Sequence, residues 1–182
     1  MRLGRSLGLM IAALALVAGC GSPTSGGQQT GGSPGSAQDA SARPTATGAE
    51  QLRFTAMTID HDTFSGQSLA GKPAVLWFWT PWCPTCQREA PGVAEVAHAY
   101  PGVTFVGVAA QGQVPAMREF VSEYGVGSFT HLADLDAEVW RRFGVTVQPA
   151  FAFVGTDGSV QVVKGTLPEQ ELTERVGALA GA

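Results

Sequence analysis

The sequence predicts an α/β sandwich, a central mixed sheet with helices on both faces, and three observations carry that expectation. From Leu52 onward, apolar runs of strand length alternate with runs of helical period. Near the C-terminus two of the runs flank Thr156-Asp157-Gly158-Ser159, a turn sequence that closes a hairpin. Ahead of them, from Gly21 to about Glu50, the chain is Gly, Ser, Thr, Gln, Ala and Pro with almost no large apolar residue. This stretch cannot bury enough surface to offset its ordering entropy, so the core must come from the residues beyond Glu50.

Taken in order, Leu52 to Ile59 reads as a first strand and Thr63 to Leu69 as a short second one. Ala74-Val75-Leu76-Trp77-Phe78-Trp79 is continuously apolar and follows Gly71-Lys72-Pro73, as a strand buried on both faces does after a turn. Pro84 to about Tyr100 reads as a helix interrupted by Pro91. Val103 to Ala109 is the next buried strand. Pro115 to Tyr124 comes next as a helix, with Met117, Phe120, Val121 and Tyr124 at i, i+3, i+4 and i+7. A short helix from Asp136 to Phe143 precedes the strand Ala150 to Val154. After the hairpin turn come Val160 to Val163 and a last helix from Pro168 to Leu179, packed through Leu172, Val176 and Leu179.

The N-terminus has the layout of a secretory signal, with Arg2 and Arg5 ahead of an apolar run from Leu7 to Val17. That run is too short for a comfortable membrane span. It ends in Leu16-Val17-Ala18-Gly19-Cys20, which resembles the lipobox of bacterial lipoproteins, where the Cys is lipidated and becomes the mature N-terminus. The resemblance makes Cys20 an anchor rather than a redox thiol; without the lipid the segment is an ordinary signal peptide and the product is secreted. The predicted organisation is a signal over residues 1–20, a flexible tether over 21–50 and one folded domain over 51–182.

The precursor of 182 residues carries a formal charge of −4, and removal of Arg2 and Arg5 leaves 9 basic against 15 acidic residues, near −6. Such a surface does not seek nucleic acid. Without a dense basic patch, any membrane contact is expected from lipid at Cys20.

The chemistry is concentrated at Trp82-Cys83-Pro84-Thr85-Cys86. Cys83 follows a predicted buried strand, and Pro84 suits the first turn of a helix. At a helix N-terminus, unpaired amides and the positive end of the dipole favour thiolate, drawing a thiol pKa below its free value of about 8.5. Cys86, one turn deeper, faces the same side and can close a disulfide with Cys83. Zinc is the competing use of such a pair. A structural zinc site takes four ligands, and only Cys20 and the scattered His61, His98 and His131 are left to complete one, so no metal is expected. A purely structural bridge across two residues would constrain little of the unfolded chain.

Phe78 through Cys86, with Glu89 and Pro91 following, resembles the active site of exported thioredoxin-like proteins of the TlpA, ResA and DsbE group. With its lipobox the whole chain resembles actinobacterial DsbE-like and DsbF-like lipoproteins. The resemblance implies a thioredoxin-like three-layer sandwich and an extracytoplasmic thiol-disulfide oxidoreductase that oxidises or isomerises exported proteins and needs no cofactor. It further implies a cis-proline loop facing the cysteines, matched by Pro149, with the Gln148 backbone and Trp82 beside the substrate. Where relatives carry a buried Asp or Asn six residues before the first Cys, this chain has Trp77, which leaves Glu89 as the candidate proton acceptor for Cys86. Trp79 and Trp82 are expected to frame the site, one packing the core and one shielding the cysteines. A membrane partner, either a quinone-linked oxidase or a CcdA-like electron importer, is expected to regenerate the pair, and the protein is expected to be a monomer. Two alternatives stay open: a reductase serving cytochrome c maturation, and a thiol peroxidase, suggested by Thr80 three residues before Cys83.

Overall fold

The computed structural model describes residues 48–181; the predicted signal, Cys20 and the tether up to residue 47 lie outside the described residues. The chain opens with a single helical turn, α1 (Gly48–Gln51), which takes up the last three residues assigned to the tether. Two short strands, β1 (Thr55–Met57) and β2 (Thr63–Ser65), pair antiparallel as a separate small sheet. The main sheet holds β3 (Ala74–Trp79), β4 (Thr104–Ala109), β5 (Thr130–Ala133), β6 (Ala150–Val154) and β7 (Val160–Lys164). Its order is β5-β4-β3-β6-β7. The first three of these strands are mutually parallel, whereas β6 runs antiparallel to both β3 and β7. The helices are α2 (Pro84–Ala99), α3 (Val114–Glu123), α4 (Glu138–Arg142) and α5 (Glu169–Ala180).

Alternation along β3 divides the core in two. Val75, Trp77 and Trp79 point to a layer built with α2, α3 and α5, where Cys86, Ala90, Val93, Phe120, Leu172 and Val176 pack. Leu76 and Phe78 point the other way, to Val139, Trp140 and Phe143 around α4. All six residues of β3 are buried, as its uninterrupted apolar sequence requires. Each large side chain buried here contributes on the order of 1.5–3 kcal/mol.

Several boundaries differ from the sequence expectation, each for a local reason. The predicted strand from Leu52 to Ile59 is extended only over Thr55–Met57. Leu52 N–H donates to the Gly48 carbonyl at 3.1 Å, closing a turn that buries its side chain. At the other end the Thr58 hydroxyl accepts from the Asp60 and Asp62 amides at 3.2 and 3.0 Å, and His61 takes a positive φ of 69°. The expected strand from Thr63 to Leu69 stops at Ser65 and tightens into a 3-10 turn over Gly66–Leu69. Pro91 does not interrupt α2. Its fixed φ is itself helical, so on an exposed face the ring removes one hydrogen bond without ending the helix. Strand β5 is absent from the expectation because Thr130-His131-Leu132-Ala133 is short and carries a His within it. The hairpin forms as expected, with Asp157 Oδ1 accepting from Ser159 N–H at 2.9 Å and Gly158 at φ 81°.

Candidate active site

The end of β3 delivers the chain to the start of α2, and Cys83 is the N-cap residue of that helix with Pro84 in its first turn. The Cys83 Sγ accepts a hydrogen bond from the Cys86 backbone N–H at 3.1 Å. The two cysteines are disulfide-paired, with Cα atoms 5.3 Å apart. Cys83 keeps 4 % of its surface exposed and Cys86 none, so an incoming sulfur meets Cys83 first.

Of the two framing tryptophans, Trp79 is the one fully buried in the core, while Trp82 is 54 % exposed beside the pair. Trp82 is held rather than loose: its Nε1–H donates to the Gln111 carbonyl at 2.8 Å. Gln111 has a positive φ of 53°, a backbone anchor that no sequence signal marks. Gln87 Nε2–H donates back to the Pro81 carbonyl at 3.2 Å, bracing the turn from the helix side. Trp77 is buried in the same layer as Cys86 and stacks on Trp79 with ring centroids 5.8 Å apart. An indole therefore stands where an acid would have to stand. Thr80 is fully buried, and its hydroxyl has no partner among the described residues.

Glu89 lies one turn beyond Cys86 and is partly buried against the segment before α5. Its Oε1 receives the Leu167 N–H at 3.5 Å, whereas Oε2 is buried without a partner. Burial pushes its pKa up to about 7, opposed by the Leu167 hydrogen bond. The carboxyl lines a cleft of about 300 Å³ together with Thr85, Arg88, Thr166 and a second carboxylate, Glu169. No sequence signal points to Glu169; only folding brings the start of α5 against α2.

The Gln148–Pro149 peptide bond is cis, and Pro149 is buried directly ahead of β6. Phe78 pairs with Ala150 in the antiparallel β3–β6 ladder, which sets Pro149 level with Trp79 at the end of the sheet from which the Cys83 turn departs. The loop is fixed from its far side by Gly165 N–H donating to the Pro149 carbonyl at 2.9 Å. Val147, just before it, is 48 % exposed. Cys20 lies outside the described residues. Among the described residues no group of three or more His, Cys, Asp and Glu side chains could hold a metal ion.

This arrangement has close counterparts. A structure of MTB dsbF in mixed oxidised and reduced forms superimposes with a TM-score of 0.71 at 62% identity, covering 71% of this chain and 97% of that one. A secreted Mycobacterium tuberculosis disulfide oxidoreductase described as homologous to E. coli DsbE gives a TM-score of 0.69 at 50% identity, over 71% and 98% of the two chains. By sequence, the soluble secreted antigen MPT53 of Mycobacterium tuberculosis is 50% identical over 133 residues, 71% of this chain and 76% of its own length. The thiol-disulfide oxidoreductase ResA of Bacillus cereus is 28% identical over 70% of this chain and 75% of its own. The model of the AhpC/TSA family matches residues 47–163. With a cysteine pair at the head of α2 on a thioredoxin-like sheet, the chain belongs to the AhpC/TSA family and, within it, to the thiol-disulfide oxidoreductases.

Proposed function

We propose that this protein works outside the cytoplasm, oxidising or rearranging cysteines of exported polypeptides through Cys83 and Cys86. The observation that carries the reading is the disulfide at the α2 N-cap, with one sulfur reachable, the other enclosed, and the Cys86 amide aimed at the reachable one. A substrate thiolate attacks Cys83 Sγ, the Cys83–Cys86 bond breaks, and Cys86 departs as thiolate. A second substrate thiolate then attacks the substrate sulfur of the mixed disulfide and releases Cys83. The substrate loses two electrons and the cysteine pair gains them. The Cys86 amide at 3.1 Å favours the Cys83 thiolate that leaves. Glu89, with a pKa near neutral, gives Cys86 its proton in this direction and accepts it in the other. Gln148 offers its backbone, and Trp82 its surface, to the substrate chain beside the sulfur, with the buried Pro149 holding that loop in place.

The lipid anchor at Cys20 and the tether belong to the same reading, since they would hold the domain at the membrane within reach of clients and of the quinone-linked oxidase or CcdA-like importer that resets the pair. The secreted character of the Mycobacterium tuberculosis relatives supports the extracytoplasmic placement.

Two substitutions test the reading. Cys86→Ser should accumulate a mixed disulfide between Cys83 and a client, visible on non-reducing gels, whereas Cys83→Ser should abolish exchange; equal trapping by both would refute the assignment of roles. Cys20→Ala should move the protein from the membrane fraction to the soluble fraction without changing the activity of the purified protein, and unchanged membrane retention would rule out the anchor.

A further inference from the structure

A groove that the exchange chemistry itself does not use runs beside the cysteine pair. It opens between the start of α2 and one face of α3, with a volume of about 290 Å³. Its apolar lining includes Pro81, Trp82, Phe120 and Tyr124, its charged lining is Glu119 and Glu123, and no Lys or Arg contributes to it. The helical period builds this pattern: Glu119 and Glu123 stand four apart on α3, as do Phe120 and Tyr124, so an acidic row lies next to an aromatic one. Phe120 is buried and Tyr124 half-buried, whereas both carboxylates are exposed, which makes the aromatics floor and the acids rim.

Neighbouring cations do not neutralise the rim. Arg88 lines the cleft on the Glu89 side of α2 instead. Arg118 donates to the Ile59 carbonyl at 2.7 Å and faces Asp60 at 3.6 Å. Trp82, meanwhile, presents an exposed ring that its hydrogen bond to Gln111 keeps in place.

We propose that this groove is a client-selecting subsite, which takes the residues flanking the reacting cysteine of an exported polypeptide and favours an apolar side chain next to a Lys or Arg. The proposal rests on the exchange function argued above. An apolar side chain would cover Phe120 and Tyr124, and the cation would meet Glu119, Glu123 and the π face of Trp82. A client with an acidic flank would be repelled by the same two carboxylates.

The test uses the purified oxidised protein and two synthetic dithiol peptides, identical except for Leu-Lys or Leu-Glu beside the first cysteine. Each peptide passes two electrons to the Cys83–Cys86 disulfide and becomes a disulfide itself, followed by tryptophan fluorescence. Wild type should react about fivefold to tenfold faster with the Leu-Lys peptide at low salt, with the gap narrowing as salt screens the rim. Combined Glu119→Gln and Glu123→Gln should bring the two rates within twofold of each other, whereas Glu138→Gln with Glu174→Gln, elsewhere on the surface, should keep the preference. Reduction by dithiothreitol should be the same in all three proteins. Equal rates with both peptides in wild type, a preference that survives in the groove variant, or one lost in the control variant would each overturn the subsite while leaving the exchange function standing. Failure to react with either peptide and with dithiothreitol would instead overturn the exchange function, and the subsite with it.

Discussion

Burial keeps the Glu89 carboxyl near neutral, and the consequences for rate can be separated from those at Cys83. Above about pH 7 the carboxylate is ionised and can take the proton of Cys86; below it, the base is already occupied. The step in which Cys86 attacks a mixed disulfide should therefore slow as pH falls through about 7. Glu89→Gln should slow it about 10²-fold and remove the inflection near pH 7, leaving only the rise with pH that ionisation of the thiol itself gives. The rate at which Cys83 reacts with a small disulfide should stay within twofold, since the Cys86 amide that faces its sulfur is untouched. Stopped-flow fluorescence of the two steps distinguishes these outcomes, and a resolving rate within twofold of wild type would leave Glu89 without a part in the reaction. Cys83 and Cys86 are legible in the sequence because two residues of spacing on a helix fix their juxtaposition. The environment of Glu89 is not, because it is made by Leu167 and by Glu169, which no local spacing relates to the cysteines.

Among the elements, those with a single unbroken signal can be read and those made by tertiary contact cannot. The apolar run of β3 and the turn at Asp157-Gly158 declare themselves locally. Strand β5 exists because β4 offers it a parallel edge, and its His131 is accommodated by the Val126 carbonyl at 2.8 Å from Nε2. What lets an imidazole fit there is a glycine on the neighbouring strand. Gly107 pairs with both Trp77 and His131, and a Cβ at this position would overlap the His131 ring and come within 2.9 Å of Trp79 Nε1. Neither β3 nor β5 can yield, since both are held in ladders with β4. Gly107→Ala should therefore destabilise the protein by about 1–3 kcal/mol, read from the midpoint of denaturant unfolding. It should also shift the near-ultraviolet circular dichroism, because the stacked Trp77 and Trp79 are displaced. An unchanged midpoint would show that the sheet can spread at this point at little cost.

On the scale of the whole molecule, a buried imidazole and a partly buried carboxyl pull stability in opposite directions with pH. His131 is 3 % exposed and its pKa is lowered to about 4, chiefly by burial, which outweighs the Val126 carbonyl and the Asp60 charge. Unfolded, it would titrate near 6.5, so between about pH 4 and 6.5 the unfolded chain holds more protons at this site. Its contribution is then fully present above 6.5 and is lost as pH falls toward 4. Glu89 behaves oppositely. Its pKa is raised from 4.5 to about 7, so the folded state holds the extra proton, and its contribution is full below 4.5 and lost as pH rises through 7. The windows overlap between about 4.5 and 6.5, where the two slopes offset each other and wild-type stability should change little. Glu89→Gln removes one of the pair. Its unfolding free energy should rise with pH across that interval, by up to about 1.4 kcal/mol per pH unit for one proton, and exceed that of wild type by most above pH 7. His131→Gln should show the converse, a stability that declines from pH 4.5 to 7. Denaturant unfolding of the three proteins at half-unit pH intervals measures this directly, and parallel curves for wild type and Glu89→Gln would mean that the Glu89 carboxyl is solvated in the folded protein.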